Sequence, residues 1–338
     1  MKKGKKLPPR LIIQTGKFVW TTLWQTMMSQ IAPRNASGEY IRPPSQFHQS
    51  IGPVPESPYP AAAGRYHLYV GMGCPWAHRT LVVRALKGLE DAIPVVIVQP
   101  DPLAGGWVLQ QAEGECQTLA DVYQRAQPGY RGRSTVPVLW DSETQTIVNN
   151  ESAEIIVQLN AQFNTFARHP DLNLAPADLQ DCLDRWNEKI YPAVNNGVYR
   201  CGFAQSQSAY EQACRELFTV LDEIDTVLAS RRYLCGDRIT LADVRLFTTL
   251  FRFDAVYYGL FKCNRRRIAD YPYLGPYLRD LYQLPGVAAT CDLESVKRDY
   301  YSSLFPLNPG GIIPLGPDPG DLLQPHGRES LAQPQGRD

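Results

Sequence analysis

A strand, a glycine turn, a helix and a second strand follow one another within residues 66–98, and this order constrains the chain more than any other feature. Tyr66-His67-Leu68-Tyr69-Val70 forms a short apolar run closed by Gly71 and Gly73. Pro75 suits the first turn of a helix, because its missing N–H would be unpaired there in any case. Leu81, Val82, Ala85 and Leu86 then recur at helical spacing. Ile93-Pro94-Val95-Val96-Ile97-Val98 reads as a buried strand. A β-α-β order of this kind implies a parallel strand pair joined by a right-handed crossover.

The pattern resumes after a polar insertion at 99–132, which contains Gly105-Gly106-Trp107. Val136-Pro137-Val138-Leu139-Trp140 and Thr146-Ile147-Val148, separated by a polar turn, predict a hairpin. Asn149-Asn150-Glu151-Ser152 leads into a helix through Ile155, Ile156 and Leu159. The order β-α-β, then β-β-α, predicts an α/β thioredoxin-like domain over residues 65–162. A linker at 163–176 carries Pro170 and Pro176. Residues 177–313 read as an all-α domain, with apolar positions three and four apart over 178–199, 208–228, 240–258 and 273–281. Thr240-Leu241-Ala242-Asp243 resembles a capping box. The proline-rich stretch 1–64 reads as an extended arm. Residues 314–338, rich in Gly, Pro and Gln, read as a flexible tail.

Composition narrows the function classes. The chain has 338 residues, with Lys+Arg at 34 and Asp+Glu at 34. A zero formal charge argues against a nucleic-acid partner. No window approaches the roughly 18 apolar residues of a membrane span, and the basic cluster at Lys2, Lys3, Lys5, Lys6 and Arg10 is not followed by a clean signal-peptide pattern. The expectation is a soluble cytoplasmic protein with no membrane partner. Eight cysteines are scattered without a C-x-x-C pair, so a zinc site, a dithiol motif and a disulfide framework are all disfavoured.

Cys74 alone has the setting of a reactive thiol. At a helix N-terminus it faces unpaired N–H groups and the positive end of the helix dipole, both of which favour the thiolate. Gly71 and Gly73 leave room for a substrate to approach the backbone. With no partner cysteine, the expected intermediate is a mixed disulfide with an external thiol. His78 and Arg79, one turn on, read as a packing residue and a solvated arginine. Val136-Pro137 opens a strand, either as a plain edge-strand proline or as a cis bond whose preceding residue offers its backbone to an extended peptide. Glu151-Ser152, read alone, is an ordinary helix N-cap. Beside the other two motifs it also suits an α-amino acid group, with Ser152 and local N–H groups for the carboxylate and Glu151 for the ammonium.

Together these motifs resemble the glutathione transferases with a catalytic cysteine. More narrowly, Gly71-Met72-Gly73-Cys74-Pro75-Trp76-Ala77-His78-Arg79, Gly105-Gly106-Trp107, Thr135-Val136-Pro137-Val138-Leu139-Trp140-Asp141 and Ile147-Val148-Asn149-Asn150-Glu151-Ser152 are similar to the Xi class, the glutathionyl-hydroquinone reductases. So are Asn195-Asn196-Gly197-Val198-Tyr199, Arg252-Phe253-Asp254-Ala255-Val256-Tyr257, and Tyr300-Tyr301 followed by Asn308-Pro309. The resemblance covers roughly residues 38–316. It implies reduction of S-glutathionyl-hydroquinones with glutathione as co-substrate, no metal, and a homodimer. It implies Cys74 as nucleophile, and Trp107, Arg133, Ser134, Thr135, Val136, Glu151 and Ser152 around glutathione. It further implies a hydroquinone pocket lined by Tyr199, Tyr257 and Tyr300, with Tyr199 as proton donor and the other two supporting the thiolate. Without the resemblance, each of these tyrosines reads as core.

Two other readings stay open on the residues. An omega-like thiol transferase or dehydroascorbate reductase would share Cys74 without needing the tyrosines. A non-catalytic glutathione-binding scaffold would need neither. The family pattern also carries a histidine before the final tyrosine pair and a Ser-His soon after it, where this chain has Asp299 and Ser303-Leu304.

Overall fold

The first helix, α1 (Pro9–Ile31), departs from the expected arm: it is a 23-residue helix, with Pro9 at its first position. Ile13, Gly16, Trp20, Trp24, Met27 and Ile31 fall on one of its faces, at spacings of three and four that proline counting obscured. The computed structural model describes residues 8–52, 57–101, 105–114 and 116–332. After α1 the arm is extended and lies against the sheet edge. Gln49 N–H donates to the Val148 carbonyl at 2.9 Å, and the Asn150 side-chain oxygen accepts from the N–H of Phe47 at 3.1 Å.

Strand β1 (Tyr66–Val70) leads through the glycine turn into α2 (Pro75–Lys87) and then β2 (Val95–Pro100). β1 and β2 pair in parallel, with Leu68 opposite Val95, as a right-handed crossover requires. The stretch 99–132, expected as a polar insertion, contributes β3 (Trp107–Glu113), β4 (Cys116–Thr118) and α3 (Leu119–Ala126). Thr118 caps α3: its hydroxyl accepts from Asp121 N–H at 3.1 Å, while the Asp121 carboxylate accepts from Thr118 N–H at 2.8 Å. The hairpin β5 (Val138–Asp141) and β6 (Thr146–Asn149) precedes α4 (Ser152–Gln162). The sheet order is β4-β3-β2-β1-β5-β6, antiparallel except between β1 and β2.

The second half is helical: α5 (Gln180–Ile190), α6 (Gly197–Gly202), α7 (Gln207–Leu228), α8 (Leu241–Arg252), α9 (Leu274–Tyr282) and α10 (Leu293–Ser303). Two expected continuous helices are interrupted by π turns, at Tyr191–Asn195 after α5 and at Phe253–Tyr257 after α8. Such turns re-aim the side chains that follow and recur at functional sites. Here they precede Tyr199 and contain Tyr257. The α8 cap is as expected: Asp243 accepts from both the N–H and the hydroxyl of Thr240 at 2.8 Å. α2 packs against both α4 and α8, which brings the turn before Cys74 to the seam between the two halves.

The tail is more ordered than its composition suggests. Short helical turns run at Pro319–Leu323 and Glu329–Ala332. Buried Arg328 donates to the Leu228 carbonyl at 3.1 Å and the Arg232 carbonyl at 2.8 Å. Arg328 and Gln283, which donates to the Leu322 and Gln324 carbonyls, anchor this segment, and a Gly/Pro count registers neither. The last six positions of the expected tail lie outside the described residues.

Candidate active site

Cys74 is the N-cap residue of α2, and its carbonyl accepts the first helical bond from His78 N–H at 3.0 Å. Its thiol points at the Val136 carbonyl across 3.6 Å, and the Val136-Pro137 bond is cis. The two motifs, 62 residues apart in sequence, therefore face each other. Burial pushes the Cys74 thiol up from its ordinary value, against the pull of the Ala77 and Trp76 N–H groups and of Arg42 and Arg252. The expected depression is thus outweighed. The helix terminus acts as foreseen and two arginines add to it, but the cost of enclosing the charge is larger.

The turn ahead of Cys74 is held from the helical half. Arg252, fully buried at the end of α8, donates to the carbonyls of Met72 and Gly73 at 2.8 Å each and to that of Thr248 at 2.9 Å. It also donates to His78 Nδ1 at 2.9 Å. Arginine can only donate, so Nδ1 is the acceptor and the His78 proton sits on Nε2, 2.9 Å from the Thr290 hydroxyl. Burial and then the Arg252 charge hold His78 well below its ordinary value, so it is neutral. It is a packing and hydrogen-bonding residue rather than a base for Cys74.

Asp299, at the position where the resemblance leads one to expect histidine, accepts from Gly73 N–H at 3.1 Å. Burial raises its carboxyl to about 6. The two turn glycines do not simply leave space for substrate. A Cβ on Gly71 would lie 2.3 Å from the Trp107 ring, and one on Gly73 would lie 2.6 Å from Asp299 Oδ2. The glycines admit these two side chains.

Glu151 is the N-cap of α4 and accepts from Ala153 N–H at 3.1 Å and from the Ser45 hydroxyl at 2.9 Å. Its carboxylate has about four lone-pair sites, so capacity remains for a further donor. Ser152 is buried, and its hydroxyl is 3.5 Å from Arg79 Nη1. Arg79 itself is buried, not solvated. It donates to Asn195 Oδ1 at 2.8 Å and stacks over Trp76 at 4.4 Å. Arg133, Ser134 and Thr135 lie in the loop before β5. Arg133 is exposed, and the Thr135 carbonyl is held by the Tyr123 hydroxyl at 2.8 Å.

The three predicted tyrosines form a chain of phenols. Tyr199 and Tyr300 hydroxyls are 2.6 Å apart, and Tyr300 and Tyr257 hydroxyls 3.0 Å apart. Burial raises Tyr257, and raises Tyr199 and Tyr300 well above the ordinary phenol value, so all three are neutral O–H groups near neutral pH. Tyr199 stacks on Trp76, whose neighbours in sequence include Cys74. The negative charge of a Cys74 thiolate pushes both Tyr199 and Tyr257 further up, which places the phenols within electrostatic reach of the sulfur.

A family model for the glutathione S-transferase N-terminal domain matches residues 73–162, and one for the C-terminal domain matches residues 207–280. The glutathionyl-hydroquinone reductase YqjG of Escherichia coli is 43% identical over 325 residues, covering 92% of this chain and 97% of that protein. The chain belongs to the Xi class of glutathione transferases. A crystal structure of the Xi enzyme from Phanerochaete chrysosporium superposes with a TM-score of 0.81 at 43% identity, over 86% of this chain and 96% of that one. The glutathione-bound structure of YqjG superposes at 0.78 with 44% identity, over 83% and 96%.

Within this Xi-class site, sequence reasoning missed three residues. Arg42, from the arm, stacks over the Trp76 ring at 4.0 Å and draws the Cys74 thiol down. Ser45, also from the arm, binds Glu151. Arg252 clamps the turn before Cys74. No local spacing signals any of them, because each acts through a contact more than 30 residues away in sequence.

Proposed function

We propose that this chain reduces S-glutathionyl-hydroquinones to hydroquinones at the expense of glutathione. The observation that carries the proposal is the meeting of an N-cap cysteine with a chain of three neutral phenols. A simple thiol transferase needs the cysteine but has no use for a buried proton relay of phenols. The names of the E. coli and Sphingobium chlorophenolicum relatives support the same reading.

The chemistry follows from the residue types. The Cys74 thiolate attacks the sulfur of the glutathionyl thioether, forming the S–S bond of a Cys74–glutathione mixed disulfide. The carbon–sulfur bond breaks, and its electron pair leaves on the ring carbon. Tyr199 supplies the proton that carbon takes up, and Tyr300 and Tyr257 stabilise the phenolate left behind through the hydroxyl chain. A second glutathione thiolate then attacks the mixed disulfide, releasing Cys74 and glutathione disulfide. The reaction consumes one conjugate and one glutathione.

Glutathione fits the remaining groups. The N-terminus of α4 with Ser152 suits its γ-glutamyl carboxylate, and Glu151 suits the ammonium. Val136 offers its backbone to the cysteinyl residue, with Trp107, Arg133, Ser134 and Thr135 around the rest. A homodimer is expected for the class, and sedimentation of the full chain would establish it. All eight cysteines are free thiols, which suits a reducing compartment such as the cytoplasm.

The test is turnover of glutathionyl-menadiol with glutathione, read as free hydroquinone. Cys74→Ala should abolish it with the fold unchanged by circular dichroism. Activity on dehydroascorbate without any on the conjugate would overturn the proposal in favour of an omega-like transferase.

A further inference from the structure

The zero net charge of the chain conceals a strong asymmetry. Lys2, Lys3, Lys5, Lys6, Arg10, Lys17 and Arg34 all precede the first acidic residue, Glu39. The remaining 300 residues therefore carry seven net negative charges. Within the basic segment, α1 exposes Leu11, Ile12, Ile13, Phe18, Val19, Trp20 and Leu23, Phe18 to 72%. Single exposed apolar residues are ordinary, but seven large ones on four turns of one helix are not.

The helix is anchored at one end only. Met28 is fully buried, and Trp24 and Ile31 pack against the core. At 3.6 residues per turn, the stripe that docks at Trp24 and Ile31 continues along Ile13 and Trp20, flanked by Ile12, Val19 and Leu23. There Trp20 meets Phe305, itself exposed, with ring centroids 6.3 Å apart, and Ile13 remains 57% exposed. Arg10 and Lys17 border this stripe on the helical wheel. Thr and Gln side chains occupy much of the rest, with Leu11 and Phe18 also exposed on the side away from the stripe.

We propose that α1 is an interfacial helix that docks the protein on the surface of an anionic phospholipid bilayer, with its apolar stripe at the acyl boundary and its basic residues among the headgroups. An aromatic and aliphatic face flanked by Lys and Arg is the chemistry of such helices. Each basic residue near an anionic surface contributes about fivefold in affinity. No helix among the described residues is long and apolar enough to cross a membrane, so the attachment is peripheral. The expectation of no membrane partner rested on the lack of a span and of a clean signal-peptide pattern, and neither bears on an amphipathic helix. Self-association through the same face, which would bring the charges of Arg10 and Lys17 towards a second copy, is an outcome of the test. The acidic remainder of the chain is repelled from an anionic surface, which leaves the helix as the point of attachment.

The inference does not depend on the reaction at Cys74, which serves as the control for folding. The full chain is floated with vesicles of phosphatidylcholine containing phosphatidylglycerol, beside vesicles of phosphatidylcholine alone. Roughly tenfold more protein should float with the anionic vesicles, and raising the salt should remove most of that difference. The variant Ile12→Ser/Ile13→Ser/Val19→Ser should lose flotation while keeping wild-type reductase turnover. The charge variant Arg10→Glu/Lys17→Glu should lose it as well. Three results would overturn the proposal: no flotation with anionic vesicles at low salt, undiminished flotation of the serine variant, or a self-association that the serine substitutions abolish in the absence of vesicle binding.

Discussion

Asp299 accepts a hydrogen bond from the N–H of Gly73 at 3.1 Å, so a carboxyl group from α10 touches the backbone one residue before Cys74. Its carboxyl titrates near 6 in the fold against an ordinary value of 3.8. Between those values the folded state binds the extra proton. The stability that Asp299 contributes is therefore complete below pH about 4 and is lost as the pH rises through 6. Asp299→Asn keeps an acceptor for Gly73 and removes the ionisation. After allowance for the group's partial solvation, the variant should be more stable than the wild type by about 1 kcal/mol above pH 7. At pH 4 the gain should shrink towards zero. Urea unfolding at the two pH values measures it, and an equal difference at both would show that the charge is irrelevant.

The phenol chain makes a kinetic prediction. Tyr199→Phe leaves the ring stack on Trp76 and removes the hydroxyl that sits 2.6 Å from Tyr300. A positioned general acid contributes roughly 10²–10⁴-fold, so kcat on a glutathionyl-hydroquinone should fall about 100-fold. The KM for glutathione should change by less than about threefold, since glutathione is assigned to other residues. Equal losses in both constants would remove Tyr199 from the proton-donor role. Tyr257→Phe, at the far end of the hydroxyl chain beyond Tyr300, should cost less.

Arg42 is the test of the arm's part in the chemistry. Its guanidinium lies over Trp76 and opposes the burial that raises the Cys74 thiol. Arg42→Ala should raise the thiol further, and alkylation of Cys74 by iodoacetamide near pH 8 should slow by roughly threefold, the size expected for one partly screened neighbouring charge. Arg42→Lys should restore most of that rate, because the charge returns, but less of the contact with the ring. A lysine variant as slow as alanine would assign Arg42 a packing role only.

The parts of this site that the sequence made legible are those written in local patterns. Cys74-Pro75 after a glycine turn, Val136-Pro137 opening a strand and Glu151-Ser152 opening a helix each carry their own geometry within a few residues. Their partners do not. Arg79 reads as solvated from its place one turn into α2, yet it is buried beneath Trp76 and held by Asn195, 116 residues away. The phenols of Tyr199, Tyr257 and Tyr300 have no common spacing, and only the resemblance brought them together. The rise in the Cys74 thiol was missed for a related reason: a helix terminus can be read from sequence, whereas the depth at which it ends up cannot. α1 was hidden by its proline-rich surroundings, although its three-and-four stripe was present all along.

Arg252 gives the sharpest stability test. It is fully buried, and its hydrogen bonds run to the carbonyls of Met72, Gly73 and Thr248 and to His78 Nδ1. None of these partners is a carboxylate, so the clamp works by donating to neutral acceptors. Arg252→Met fills similar volume but leaves two turn carbonyls and one ring nitrogen without a donor in a buried place. Each lost partner costs about 1–3 kcal/mol, and partial relaxation should bring the total to roughly 3–5 kcal/mol. Arg252→Lys restores the charge but only three donors without the planar fork, and should recover less than half. Because Gly73 joins Asp299 and Arg252 to Cys74, loosening the turn should also lower kcat of the folded fraction. A methionine variant with wild-type urea midpoint and turnover would show that the turn holds its shape without the arginine.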